Sequence, residues 1–107
     1  MIYIASPYTH PDKGVQEFRY ARVFGYTSNL ILQGLPAFSP IVYGHPFHLH
    51  NHAPANYEFW QTFNEQMLLA SDEVRVLCLP GWEQSKGISH EIQFASRNGI
   101  PLRYVQQ

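Results

Sequence analysis

The sequence predicts a small α/β fold built on a doubly wound, mostly parallel four-stranded sheet. Short β-branched or aromatic runs alternate with longer stretches whose apolar residues recur at threes and fours. Proline and glycine punctuate the junctions, and the polar loops fall just after strands, where open parallel sheets place their ligand crevices.

Residues 2–5, IYIA, closed by Ser6-Pro7, predict a buried first strand. In 15–33, Tyr20, Val23, Phe24, Thr27, Leu30 and Ile31 form one helix face, and Gly34 is a C-terminal stop. Pro36 and Pro40 confine a second strand to 37–39, near an edge, because proline cannot donate to a ladder. A long loop is expected from Tyr43 to about Asn56. Trp60, Phe63, Met67 and Ala70 then mark a helix over 58–70, and 73–79 a third strand stopped by Pro80-Gly81. Ile88, Ile92 and Ala95 give a third inward helix face ending at Asn98-Gly99, and 100–105 reads as a fourth strand. The order βαβαβαβ implies a mostly parallel sheet covered on both faces, in which strands one and three are neighbours if the order is flavodoxin-like. The loops SPYTHPDKG and PGWEQSKG would then meet over one crevice.

At 107 residues, 45% hydrophobic, the chain suits one domain over 1–107. Seven basic against eight acidic residues leave a net charge of -1, which excludes the basic face that nonspecific binding of a nucleic-acid polymer requires but allows a small anionic ligand. The lone Cys78, in VRVLCLP, reads as a core thiol. MIYIASPY has no basic segment ahead of it, and no run of about 18 apolar residues occurs, so a soluble cytoplasmic protein without membrane association is expected. The aromatic stretches PFHL and NYEFW would suit a homo-oligomer interface. No cofactor is expected.

The densest chemistry lies in LPGWEQSKGISHEIQFA, which runs from strand through glycine-containing loop into helix. Such a junction offers backbone N–H groups and a positive dipole end to an anion, with Ser85 and Gly87 where a phosphate would sit. Ser85 can equally be a plain N-cap. Glu91, at the border of the buried stripe, is either a surface glutamate or a carboxylate aimed at a ligand.

The opening IYIASPY, the Ser85-to-Glu91 stretch SKGISHE and the closing GIPL together resemble the nucleoside 2-deoxyribosyltransferase superfamily. That superfamily has a D/S-x-G-x-x-x-E motif opening the helix that carries a nucleophilic glutamate, and serine at the first position is similar to the 2-deoxynucleoside 5-phosphate N-glycosidases. The resemblance implies Glu91 as nucleophile, Ser85 and the Gly87 backbone on the 5-phosphate, and Tyr3 bonded to the glutamate or the sugar. It also implies a ligand role for the loop after strand one, including Ser6. The family's helix aspartate, eight residues ahead of Asp72, corresponds to Asn64, an amide that can hydrogen-bond but cannot donate the proton of an acid. Glu65 or Glu58 could substitute for it, and His90 or water could protonate the leaving base. The family completes its sites with a segment from a neighbouring subunit, so a pocket finished differently is expected here. The implied activity is hydrolysis or transfer of an N-glycosidic bond in a 2-deoxynucleoside 5-monophosphate, with a noncatalytic nucleotide-binding module as the alternative.

His45, His48, His50 and His52 in GHPFHLHNH invite a metal, but their alternation matches no standard zinc spacing. They read first as lid residues, with His45 or Tyr43 touching base or phosphate. Trp82 can stack on a base or anchor its loop, and Arg19 or Arg22 can be solvated or reach a phosphate.

Overall fold

In a computed structural model of the chain, which describes residues 1–50 and 56–107, strand β1 (Ile2–Ala5) lies inside a four-stranded parallel sheet. It pairs with β2 (Ala37–Phe38) on one side and β3 (Glu73–Cys78) on the other, and β4 (Leu102–Gln106) flanks β3. The order β2-β1-β3-β4 makes the first and third strands neighbours, as in the flavodoxin-like order.

Strand side chains alternate between faces, and each face is covered. Tyr3, Ala5, Val74 and Val76 pack with Leu68 of α3 (Tyr57–Leu69) and with Ile88 and Ala95 of α4 (Lys86–Arg97). Ile4 and Leu77 pack on the opposite face with Val23 and Leu30 of α1 (Lys13–Leu32). Tyr3 and α4 therefore share a face, which is what allows their polar ends to meet.

From Tyr43 to Leu49 the expected loop is instead part of helix α2 (Pro40–Leu49), and the expected strand 37–39 shortens to two residues. Ser39 leaves the strand to become the cap: its hydroxyl accepts the Val42 N–H at 3.1 Å. Pro40 occupies the first helical position, where a missing N–H costs nothing. Pro46 is tolerated inside the helix, and His50 ends it. His45 and His48 thus stand on a helix and not in a loop, while His52 lies outside the described residues. No described helix is long and apolar enough to cross a membrane.

Candidate functional site

A cavity of about 340 Å³ opens at the carboxyl ends of β1, β2 and β3. Ser6 and Tyr8 enter it from the loop after β1, Gly44 and His45 from α2, and Ser85 and Gly87 from the start of α4. This is the crevice at the point where the chain's windings diverge, the position open α/β sheets favour for ligands.

Asn56 caps α3 through the Phe59 N–H at 2.9 Å, and Ser85 caps α4 through the Ile88 N–H at 3.2 Å. The Ser85 hydroxyl spends an acceptor site on the helix yet keeps its own proton for an anionic oxygen. At Gly87 a Cβ would lie 2.8 Å from the Tyr57 ring, so only glycine lets α3 and α4 approach this closely at the cavity wall.

Glu91, one and a half turns into α4, lines the cavity but is only 3% exposed. It receives a hydrogen bond from the Tyr3 hydroxyl, itself wholly buried. Among the described residues no basic side chain pairs with it. Burial without a counter-charge pushes its carboxyl up to about 8, against the opposing pull of the Tyr3 hydrogen bond. Burial, and then the neighbouring Glu91, raise Tyr3 well above the ordinary phenol value. Tyr57 is raised by the same two causes, burial first and Glu91 next, so its hydroxyl belongs to the same electrostatic cluster. Among the described residues nothing satisfies the buried Tyr57 hydroxyl or the buried Ser6 hydroxyl, and both residues line the cavity. Native proteins seldom leave such groups unpaired, and a polar ligand would satisfy them.

The opposite wall carries His45, 4% exposed, whose Nδ1 lies 2.6 Å from the Tyr8 hydroxyl. Its ring stacks on Tyr20 with centroids 3.8 Å apart. Burial lowers its pKa from the ordinary imidazole value, with Glu17 opposing the shift.

Of the residues singled out in the sequence, Glu91, Ser85, Gly87, Ser6 and His45 line one cavity, and Tyr3 supports it from behind. Asn64 is buried on α3 outside the cavity lining, with its Oδ1 unpartnered among the described residues. Glu65 and His90 bond to each other at 2.6 Å across α3 and α4, outside the cavity lining, while the exposed Glu58 does line it. Two expectations need correction. Arg19 is not presented to a phosphate: its guanidinium donates to the carbonyls of Thr9 at 3.1 Å and Pro80 at 3.2 Å, tying together the two loops that frame the crevice. Trp82 does not face the crevice either, because the 3₁₀ turn over Trp82–Gln84 directs it into the core beside Tyr104, with ring centroids 5.7 Å apart. Tyr8 and Tyr57 are the residues that sequence reasoning passed over. Their signals were positional: Tyr8 follows β1 by three residues, and Tyr57 follows the Asn56 cap.

Among curated proteins none matches the chain. A family model does match residues 1–106, and by that match the chain belongs to the family described as a domain of unknown function, DUF1937.

Proposed function

We propose that this protein hydrolyses or transfers the N-glycosidic bond of a 2-deoxynucleoside 5-monophosphate, with Glu91 as nucleophile. The observation that carries this reading is a buried carboxyl without a basic partner, facing a cavity whose rim is a helix N-terminus. An acid kept in such surroundings costs stability and is retained where chemistry uses it. The cavity volume falls within the range of small-ligand sites, roughly 300–1,000 Å³.

Ser85 and the N–H groups that open α4 would hold the phosphate, with Lys86 on the same rim adding positive charge. The unpaired hydroxyls of Ser6 and Tyr57 would bond the sugar or base. Ionised Glu91 then attacks C1′, the C1′–N bond breaks, and the base leaves with the electron pair and takes up a proton. The Tyr3 hydroxyl, as a donor, favours the ionised form that attacks. Water or a second base opens the resulting glycosyl ester and restores the carboxylate.

The test is incubation with each deoxynucleoside monophosphate and chromatography for free base. Release from at least one, lost by about 10³-fold or more in Glu91→Ala, is expected. Absence of release from all of them would refute the catalytic reading.

One observation favours the alternative of a noncatalytic nucleotide-binding module: the amide Asn64 stands where an acid would be needed, and it lies outside the cavity lining. That reading predicts thermal stabilisation by nucleotide without product, about 2.7 kcal/mol at 100 times the dissociation constant.

A further inference from the structure

We propose that Glu17, His45 and Tyr8 form a proton relay in the cavity wall, in which Tyr8 takes the proton from the water that opens the glycosyl ester on Glu91; this rests on the glycosidase reading above.

The three groups are ordered carboxylate, imidazole, phenol. The Tyr8 hydroxyl lies 2.6 Å from His45 Nδ1, and Nε2 of the same ring lies 3.6 Å from Glu17 Oε1. That second separation is an electrostatic contact, long for a hydrogen bond. It nonetheless fixes the tautomer. A bare Nε2 lone pair facing a carboxylate would be repelled, so Nε2 carries the proton, Nδ1 accepts, and Tyr8 donates. Stacking on Tyr20 at an interplanar angle of 19° holds the ring plane, and His48 stands edge-on to Tyr8. With its proton committed to Nδ1, the Tyr8 oxygen has lone pairs left for the cavity that Tyr8 lines.

The reaction needs such a group. Once the base has left, water enters the space it vacated and must lose a proton as it bonds to C1′. Glu91 cannot accept that proton, because it is the ester. Asn64 is an amide, and Glu65 and His90 bond to each other outside the cavity lining; of the groups that do line it, Glu58 is exposed on α3 and His48 packs edge-on against Tyr8, so Tyr8 is the group coupled to a buried acceptor. In the relay, a water O–H bond breaks and its proton goes to the Tyr8 oxygen, while Tyr8's own proton passes to Nδ1. The new O–C1′ bond forms as the C1′–Oε bond of Glu91 breaks, and Glu91 departs as carboxylate. The imidazolium faces Glu17 until the proton returns through Tyr8 to solvent. The groups that face His45 are Tyr8 from the loop after β1, Glu17 and Tyr20 from α1, and His48 from α2. Burial of His45 favours the neutral, accepting form at neutral pH.

The experiment uses the full chain and whichever deoxynucleoside monophosphate the wild type cleaves. Tyr8→Phe should still release about one equivalent of base in a burst, then turn over about 10²- to 10⁴-fold more slowly, with the sugar phosphate retained on the protein by intact mass. Glu17→Gln, at an exposed position, tests the relay without disturbing the core. During decay of the ester Glu91 cannot titrate, so the pH profile of that step reads the histidines of this wall, and its dependence on Glu17 singles out His45. It should rise with pH through the imidazole range in wild type and shift to lower pH in Glu17→Gln, which no longer stabilises the imidazolium. Unchanged turnover in Tyr8→Phe, or equal slowing of burst and steady state, would overturn the relay while leaving the glycosidase intact. No base release by wild type would instead remove the glycosidase reading, and the relay with it.

Discussion

The two walls of the cavity treat their ionisable groups in opposite ways. On the α2 wall, His45 is buried but served at both nitrogens, by the Tyr8 hydroxyl and by the nearby Glu17 carboxylate. On the α4 wall, Glu91 is equally buried and has the Tyr3 hydroxyl as its partner, with no ion pair. The first wall gives its buried ring a hydrogen bond on one nitrogen and a carboxylate facing the other, whereas the second keeps an acid whose charge is uncompensated. The difference locates where folding free energy has been given up: a fold under no functional constraint would place Leu or Gln at position 91.

The largest effect expected from this contrast is a pH dependence of stability. Glu91 titrates near 8 in the folded chain and near 4.5 when free. Between those values the native state holds a proton that the unfolded chain has lost, so stability falls as pH rises through that window and levels off above it. The loss should amount to a few kcal/mol, on the order expected for a shift of this size. Glu91→Gln retains an acceptor for Tyr3 without a titrating group, so denaturation midpoints measured from pH 4 to 9 should lose this slope in the variant. Equal slopes in both proteins would place the strain elsewhere. The same ionisation should appear in catalysis: kcat/KM should rise with pH through about 8 if Glu91 acts as the carboxylate, and fall if it acts as an acid.

A second, smaller effect tests how tightly the α4 wall is built. The Cβ of Gly87→Ala would press on the Tyr57 ring at 2.8 Å, and overpacking of this kind costs about 1–3 kcal/mol. In a Tyr57→Ala background the same change should become neutral or stabilising by up to about 1 kcal/mol, because alanine is the better helix former. A cost that is the same in both backgrounds would show that Tyr57 does not set the approach of α3 to α4.

What the sequence made legible follows the same division. The strands stood out as short apolar runs because both their faces are covered, and α1 and α4 because each buries one face, which writes its period into the residues. Helix α2 did not. Its residues are apolar nearly all round, and Pro40, Gly44, Pro46 and two histidines hide it, although Ser39 followed by Pro40 is itself a helix-start signal. Glu91 was recognisable from its place after Ser85 and Gly87, but its hydrogen bond from Tyr3 of β1, 88 residues away in sequence, arises only in the folded sheet. For Arg19 and Trp82 residue type left a ligand role open, whereas the direction of each side chain was decided by tertiary partners: three loop carbonyls for Arg19 and Tyr104 for Trp82.

The finest test compares the two serine caps. Ser39 starts α2 and Ser85 starts α4 with the same bond, hydroxyl to the N–H three residues on, at 3.1 and 3.2 Å. Removing either hydroxyl should therefore cost about 1 kcal/mol of stability. Only Ser85 lines the cavity, where its remaining proton can reach a phosphate oxygen, while Ser39 is buried at the end of β2. Ser85→Ala should accordingly weaken binding of a deoxynucleoside monophosphate more than that of the corresponding deoxynucleoside, by about the worth of one hydrogen bond to a charged group, 1.5–3 kcal/mol. Ser39→Ala should leave both affinities unchanged, as measured by calorimetric titration at a fixed pH. If the two variants lose nucleotide affinity alike, the N-terminus of α4 is not where the phosphate docks, and Ser85 is a cap and nothing more.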